Sequence, residues 1–431
     1  MAKKPKFQAP TGMHDILPGD QKYFQKIYDV TKNIADFYGF KKIDTPMVEE
    51  AELFSRGIGL STDIVQKEMY SFKTKGGDFL ALRPEGTAPV VRAFIEQGMQ
   101  NLPQPVKLWY FGPFFRYEKP QAGRFRQFWQ FGFEVLGEKS PVIDMQIIQV
   151  FYNILRELKF QDLTVEINSI GDHQCRPYYK KLLVSYFKSR VSSLCSNCRK
   201  RLKENVLRIL DCKEGKCQRI VSQAPQILDH LCGECHDHFK EVLEFLDEIN
   251  LPYQLNPYLV RGLDYYTKTV FEIFSQEEFL EKKTKNSLAG GGRYDSLVKL
   301  LGGKDTPACG CAAGIDRIAA LLKTKTSLKF IPLSRPRIFL AQLGGLGKRR
   351  SLGLLEEFRK AKIPIAESLS KDSLRSQLGR ANRIGVDFVL ILGQKEALED
   401  QIIIRDMKTG KQQTIKLEKV IEKMKKKLKN N

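Results

Sequence analysis

Nowhere does the chain carry an apolar run approaching the roughly 20 residues that cross a bilayer. Its first residues, MAKKPKFQAPTGMHDILPGD, lack the apolar stretch of a secretory signal. A membrane-spanning helix is excluded, and the expected location is the cytoplasm. There is no internal repeat, so a solenoid is not expected. No GxxxxGK[ST] is present, which closes the P-loop route to a bound phosphate. No Ser-His-Asp or Cys-His arrangement stands out, and none is needed for the chemistry reached below. Carboxylates are in deficit: 50 Asp and Glu face 71 Lys and Arg, a formal net charge of +21. Such an excess points to a polyanionic partner, against the plainer reading of a lysine-rich solvated surface. Nine cysteines without a signal read as reduced thiols or metal ligands, not as a disulfide framework.

What is present is ample core: 42% of the 431 residues are hydrophobic, enough for two or three domains. After Leu17-Pro18-Gly19-Asp20, the residues Tyr23, Phe24, Ile27, Ile34 and Phe37 recur at helical spacing until Gly39. Up to about residue 170, strand candidates (Phe79 to Leu82, Val106 to Phe115, Phe125 to Val135, Leu163 to Asn168) alternate with helices. That pattern predicts a largely antiparallel sheet with helices on one side. Residues 173–255, rich in Lys, Glu, Leu and Cys, read as a helical insertion. Strand character returns over Tyr258 to Phe274. A basic linker, Lys323 to Arg337, leads to a compact α/β pattern. Its strands are Ile338 to Gln342 and Phe388 to Leu392, with an edge at Ile402 to Ile404. Its helices lie near Leu352 to Lys360, Ser373 to Arg383 and Lys416 to Leu428.

The most informative segment is FFRYEKPQAGRFRQFWQFGFE, Phe114 to Glu134. Read as two strands around a turn (Lys119 to Gly123), it sorts by the period-two rule. Arg116 and Glu118 share a face, as do Phe128, Gln130, Gly132 and Glu134, with the glycine leaving space. Trp129, Phe131 and Phe133 point the other way. Charges on such a face cost several kcal/mol each, roughly, unless a ligand meets them, so it reads as the floor of a polar pocket. Three more segments add to it. In LRPEGTAPVVRAF, Glu85 and Thr87 sit on a rigid turn suited to an ammonium group. A helix cap by Thr87 explains the threonine but not Glu85. In LVRGLDYYTKTVFEIF, Arg261 can clamp a carboxylate or phosphate, or simply pair with Asp264. AGGGRYDSL and CAAGIDRIAALL contribute three glycines and Arg317, near the start of an apolar helix.

Together these segments resemble the class II histidyl-tRNA synthetases over essentially the whole chain. FRYEKPQAGRFRQF is similar to motif 2, GIDR to motif 3, and GFKKIDTPMVEE to the motif 1 of the dimer interface. LVRGLDYYT and GGRYD resemble the two segments peculiar to the histidine enzymes. The resemblance implies an α+β catalytic domain (1–172 and 256–328) with a mostly antiparallel sheet of six or seven strands flanked by helices. It further implies the helical, Cys-rich insertion (173–255) and a C-terminal α/β anticodon-binding domain (335–431). The implied activity is histidine–tRNA ligation: ATP and L-histidine form histidyl-adenylate and pyrophosphate, then histidine passes to the 3′ end of tRNA(His). Mg²⁺ would accompany ATP, and the chain would be a homodimer.

By the same resemblance, Arg116 and Arg261 are catalytic, and Arg116, Glu118, Phe128 and Arg317 bind ATP. Glu85, Thr87 and Gln130 hold the histidine ammonium group, while Glu134 and Tyr266 read the imidazole. Arg124, Arg261, Tyr265 and Tyr294 complete the histidine site. Gln121 and Arg126 reach the tRNA. One position departs from the family: motif 3 usually has glutamate before its arginine, and here stands Asp316, which leaves metal or ribose contacts there open.

The spacing Cys195-x2-Cys198 and Cys232-x2-Cys235 is that of zinc knuckles. A structural Zn²⁺ held by these four is the expectation, although Cys212 and Cys217 compete for places and His230, His236 and His238 crowd the second pair. Cys175, Cys309 and Cys311 read as core or loop residues. Arg375, Arg380, Arg383 and Lys371 make one C-terminal helix basic, as phosphate contacts need. The alternative is a non-catalytic paralogue acting as regulatory subunit of ATP phosphoribosyltransferase. Such paralogues typically lack the last domain and have eroded pocket residues. A tRNA-sensing module attached to a kinase would need kinase sequence that is absent.

Overall fold

The computed structural model describes residues 6–60, 62–121, 123–275, 286–324, 336–370 and 373–429. Two compact units divide the chain, Met1–Leu328 and Lys329–Asn431. Most of the basic linker, together with Lys371 and Ala122, lies outside the described residues.

The first unit is built on an eight-stranded sheet. In spatial order its strands are Lys41–Lys42, Val106–Phe115, Gln127–Leu136, Ala308–Gly314, Asn286–Arg293, Thr267–Ser275, Leu163–Ser169 and Tyr253–Leu255. Interior neighbours pair antiparallel, and only the two short edge strands pair parallel. Those edges, two and three residues long, take the count past the expected six or seven. The long hairpin beside the Lys41–Lys42 edge is in register from Val106 opposite Leu136 to Phe115 opposite Gln127.

Alternation then decides what each face meets. Trp109, Phe131, Phe133, Val135, Cys309 and Ala313 enter one core with helices Pro18–Phe37, Pro141–Glu157 and Ile315–Thr324. The first of these helices has proline at its start and buries Phe24, Ile27, Val30 and Ile34, and Gly39 beyond it takes a left-handed φ of 78°. Each such buried side chain contributes about 1.5–3 kcal/mol. Phe131 stacks on Phe151 with ring centroids 5.4 Å apart. The other face of the sheet carries the pocket, and helix Thr87–Glu96 covers part of it.

One sequence expectation changes here. The predicted strand over Tyr258 to Phe274 begins only at Thr267, and residues 256–266 form a loop. Its apolar residues Leu259, Val260 and Leu263 pack into the pocket-side core instead of pairing in the sheet, and Val260 also meets the insertion core. The insertion is helical as expected: Cys175–Lys188, Ser196–Glu204, Gly215–Val221 and Gly233–Glu248, with its own small core around Tyr179, Leu183, Phe187 and Ile209. Its last helix departs from that core, since Phe239, Val242 and Leu246 join the main one.

The second unit holds a five-stranded sheet in the order Ile365–Glu367, Ile338–Gln342, Phe388–Leu392, Gln401–Asp406, Gln412–Lys416. Its first three strands are parallel. Ile338–Gln342 and Phe388–Leu392 are buried throughout, as an unbroken apolar run predicts. Helices Gly344–Lys360, Leu374–Ile384 and Val420–Lys429 accompany them. No described helix is long and apolar enough to cross a membrane.

Candidate active site

Glu134 is a fully enclosed polar group on the sheet's pocket face, 1% exposed. Three hydroxyls donate to it: Tyr294 at 2.5 Å, Thr87 at 2.9 Å and Tyr110 at 3.4 Å. Burial outweighs these bonds and pushes its pKa from 4.5 up to about 8. Gly310 on the neighbouring strand makes the space, because a Cβ there would lie 1.7 Å from Glu134 Oε2. Tyr110 escaped sequence reading, since it sits in an unbroken apolar run, Leu108-Trp109-Tyr110-Phe111. Its ring fills the space in front of Gly132 that was expected to await a ligand. A Cβ at Gly132 or at Gly86 would come within 2.3 Å of that ring. The two glycines therefore admit a tyrosine, and the ligand space lies beyond it.

The helix cap is the reverse of the one expected. Glu85, not Thr87, accepts the free N–H groups of helix Thr87–Glu96, from Thr87 at 2.6 Å and Ala88 at 2.9 Å. Thr87 is thereby free to turn its hydroxyl to Glu134. Tyr265 O–H reaches Glu85 at 3.5 Å, and its ring meets Tyr294 edge-on at 5.7 Å. Burial raises the pKa of Glu85.

Arg261 does not pair with Asp264. It is held by Glu272, on the strand beside it, and its guanidinium lies 5.7 Å from the centre of the Tyr266 ring. Burial opposes its charge, but the Glu272 carboxylate wins and holds its pKa above the ordinary value. Its Nε is buried without a partner among the described residues. Gly290 gives it room, since a Cβ there would stand 2.4 Å from Nη1. Asp264 instead accepts from Asn205 of the insertion at 2.9 Å. Glu272 was not singled out in the sequence.

Arg116 and Glu118 follow the end of the first hairpin strand. Arg116 donates to Pro84 O at 2.8 Å and lies 5.4 Å from the Phe128 ring centre. Arg124 and Arg116 flank Glu118 at 3.4 and 3.9 Å. Arg317 donates to Ser287 O, and burial, then the nearby Arg124 charge, lowers its pKa, while Glu272 and Glu118 act the other way. Gln130 is half-buried and Gln121 exposed. Arg126 is committed to the N-terminal segment. Its backbone N–H donates to Gly12 O at 2.7 Å and its Nε to Glu118 O at 3.2 Å, and its guanidinium covers Tyr117 at 3.8 Å. Asp316 accepts from the Trp129 backbone N–H at 2.6 Å and faces His14 at 3.5 Å, a structural tie between helix and sheet.

The four cysteines expected around one metal do not converge. The structure sorts them into two clusters, Cys195, Cys198, Cys212 and Cys217, and Asp172, Cys175, Cys232 and Cys235, each with ligand atoms within 4.8 Å of one another. Cys175, expected in core or loop, belongs to the second. The histidines belong to neither: His238 meets buried Asp144 at 2.7 Å, His230 packs on Tyr178, and His236 is exposed beside Asp237.

The comparisons agree with this geometry. A family model described as histidyl-tRNA synthetase matches residues 12–318, and one described as an anticodon binding domain matches 348–427. The histidine–tRNA ligase of Dehalococcoides mccartyi is 44% identical over 422 residues, covering 98% of this chain and 100% of its own. That of Desulforamulus reducens is 43% identical over 413 residues, 96% and 97% of the two chains. The crystal structure of apo S. aureus histidyl-tRNA synthetase superimposes with TM-score 0.79 at 33% identity, over 96% of this chain and 99% of that one. An ATP phosphoribosyltransferase regulatory subunit/histidyl-tRNA synthetase from Bacillus halodurans shares the fold at TM-score 0.61 and 20% identity, over 91% and 99%. With the buried carboxylate, the arginine loop and the glycine strands in one pocket, and relatives matching from end to end, the chain belongs to the histidyl-tRNA synthetase family.

Proposed function

We propose that this pocket binds L-histidine beside ATP, forms histidyl-adenylate with release of pyrophosphate, and passes histidine to the 3′ end of tRNA(His). The observation that carries the choice of amino acid is Glu134: buried, oriented by three hydroxyls, and raised to about 8. Such a carboxyl shares one proton with an imidazole, whose own pKa is about 6.5. Tyr266 stands beside it. Glu85, Thr87 and Gln130 receive the ammonium group, with Arg124, Tyr265 and Tyr294 closing the histidine side.

A histidine carboxylate oxygen attacks the α-phosphorus while the bond to the pyrophosphate oxygen breaks. Two anions must approach, and charge gathers on the non-bridging oxygens. Arg116 from the motif 2 strand and Arg261 from the loop neutralise it, and both are positioned before substrate arrives. Glu118, Phe128 and Arg317 hold the adenosine. Mg²⁺ brought with ATP would be held through carboxylate oxygens such as those of Glu118 and Glu272, and would supply charge neutralisation for the leaving pyrophosphate. Gln121, exposed on the hairpin tip, meets the tRNA end, and Arg126 anchors that tip.

Arg375, Arg380 and Arg383 on helix Leu374–Ile384 supply phosphate contacts for the rest of the tRNA. The motif 1 region leaves Phe37, Met47 and Val48 exposed at 81%, 50% and 37%, apolar surface that a second copy of the chain covers. Cys195, Cys198, Cys212 and Cys217 hold one structural Zn²⁺, the closed four-thiolate set that this ion takes. Unpaired thiols and a tRNA partner support a cytoplasmic location. The regulatory alternative is disfavoured by a pocket with Glu85, Arg116, Gln130, Glu134, Arg261 and Tyr266 all in place. Histidine-dependent ATP–pyrophosphate exchange decides between them: exchange is expected in the intact chain and lost in Arg261→Ala. Absence of exchange in the intact chain favours the regulatory reading, whereas unimpaired exchange in Arg261→Ala removes Arg261 from the catalytic assignment.

A further inference from the structure

The second cysteine cluster takes no part in the pocket chemistry and is built from parts far apart in sequence. Asp172 and Cys175 open the insertion, while Cys232 and Cys235 begin its last helix. Their three sulfurs and one carboxylate oxygen lie within 4.8 Å of one another. Asp172, Cys175 and Cys235 are buried and Cys232 partly so.

The backbone at Cys232 repeats that of the other cluster. Cys232 caps helix Gly233–Glu248 with φ −69° and ψ 163°, and Cys195 caps helix Ser196–Glu204 with φ −66° and ψ 163°. Each pair thus presents two thiols at a helix N-terminus. The Cys232 backbone N–H already donates to Cys175 Sγ at 3.1 Å, a hydrogen bond of the kind that supports a metal-bound sulfur. Asp172 accepts the N–H groups of Gln174 and Cys175 through Oδ1 at 2.9 and 3.3 Å, which fixes its carboxylate against the three sulfurs. The charges of Arg176 and Lys268 stand close by and offset the negative charge of such a set.

We infer that Asp172, Cys175, Cys232 and Cys235 bind a structural Zn²⁺ of their own, separate from the four-cysteine cluster. Three soft thiolates and one carboxylate are a tetrahedral zinc set with no open position. Binding releases the three thiol protons to solvent. No electron is transferred.

The site stands directly behind the arginine loop. Arg176, next to Cys175, donates to Ile170 O and Tyr266 O. Lys268 N–H donates to Gly171 O at 2.9 Å, and Ile170 N–H to Lys268 O at 2.8 Å. From the other side, insertion residues Arg208 and Asn205 hold Gly262 O and Asp264 at 3.0 and 2.9 Å. The ion fixes the backbone from which Tyr266 hangs. That consequence rests on the assignment of Tyr266 to the histidine pocket, whereas the ion itself does not.

The test measures metal, not activity. Full-length chain is purified reduced, without added zinc, and its zinc is determined per chain by mass spectrometry of the metal. Cys175→Ser is expected to lose one equivalent relative to the parent, and Cys212→Ser to retain that equivalent. Asp172→Asn keeps the cap on Gln174 and Cys175 while removing the anionic ligand. It is therefore expected to fold and to yield its second zinc to a chelator at least about tenfold faster. A parent without zinc, an unchanged zinc content in Cys175→Ser, or chelator release in Asp172→Asn at the parent's rate overturns the inference. So does a thiol titration in denaturant with chelator that finds Cys175 and Cys232 joined in a disulfide.

Discussion

Replacing Glu134 by glutamine tests the imidazole assignment most directly. The displacement of its pKa from 4.5 to about 8 amounts to about 5 kcal/mol against the carboxylate in the empty pocket. Up to about pH 8, then, the free protein carries a proton on Glu134, while free histidine loses its imidazole proton near pH 6.5. The bound pair holds one proton. Below about pH 6.5 the partners together carry one too many, and above about pH 8 one too few. The ratio kcat/KM for histidine is therefore expected to be bell-shaped between these values. Glutamine still accepts from Tyr294 or Thr87 but has no proton to share. Loss of a charge-assisted bond of about 1.5–3 kcal/mol lowers kcat/KM for histidine about 10- to 150-fold. The alkaline limb disappears, and the KM for ATP hardly changes. Stability gives an independent sign. A raised folded-state pKa contributes stability that is full below about pH 4.5 and lost as pH rises toward 8, so Glu134→Gln flattens that slope in the empty protein. Exchange kinetics with histidine varied from about pH 5.5 to about pH 9.5 make the measurement. A surviving alkaline limb, or equal rises in the two KM values, refutes the reasoning.

Gly310→Ala puts a Cβ 1.7 Å from Glu134 Oε2. It should cost about 1–3 kcal/mol in thermal unfolding, with Gly314→Ala, which meets nothing within 4 Å, nearly neutral; equal losses would count against the packing argument. Behind the sheet, Asp144 is buried between Arg293 at 2.5 Å and His238 at 2.7 Å. Asp144→Ala leaves that guanidinium with Asp295 as its remaining carboxylate, at 3.1 Å, and leaves a buried donor unsatisfied, which should cost about 1–3 kcal/mol in urea unfolding; a loss under about 0.5 kcal/mol would remove the pair from the argument. Burial opposes the Asp144 charge, but Arg293 and His238 lower its pKa. The stability it contributes is present above about pH 4, the unfolded value, and is lost as pH falls through the lower folded one.

Strand periodicity made much of the fold legible. Val106–Phe115, Phe79–Leu82, Ile338–Gln342 and Phe388–Leu392 have the ends that their apolar patterns predict, because burial on a sheet imposes period two or an unbroken apolar run. The loop at 256–266 was misread for a related reason. Its apolar residues are buried or half-buried in the pocket-side core, Val260 also touching the insertion core, and burial alone does not distinguish a strand from a packed loop. Motif spacing named the pocket residues that lie near one another in sequence. It did not reveal Tyr110, which looks like core, or Glu272, whose partner Arg261 comes from another segment. It also joined the wrong cysteines. A CxxC spacing specifies two ligands at a helix start, whereas the other two come from wherever the fold brings a thiol. For Cys232 and Cys235 that was Cys175, 57 residues away from Cys232.

The Glu272 carboxylate that holds Arg261 has a consequence for selectivity. The empty pocket presents this guanidinium already neutralised, so a stray phosphate or chloride ion finds no unbalanced positive hole to occupy. Displacing Glu272 requires an anion delivered with compensations of its own: the ammonium of an amino acid, an imidazole for Glu134, or a cation travelling with a nucleotide. On the proposed assignment Glu272 is thus a placeholder, one that a ligand recognised at several other points displaces more readily than a lone weak anion does.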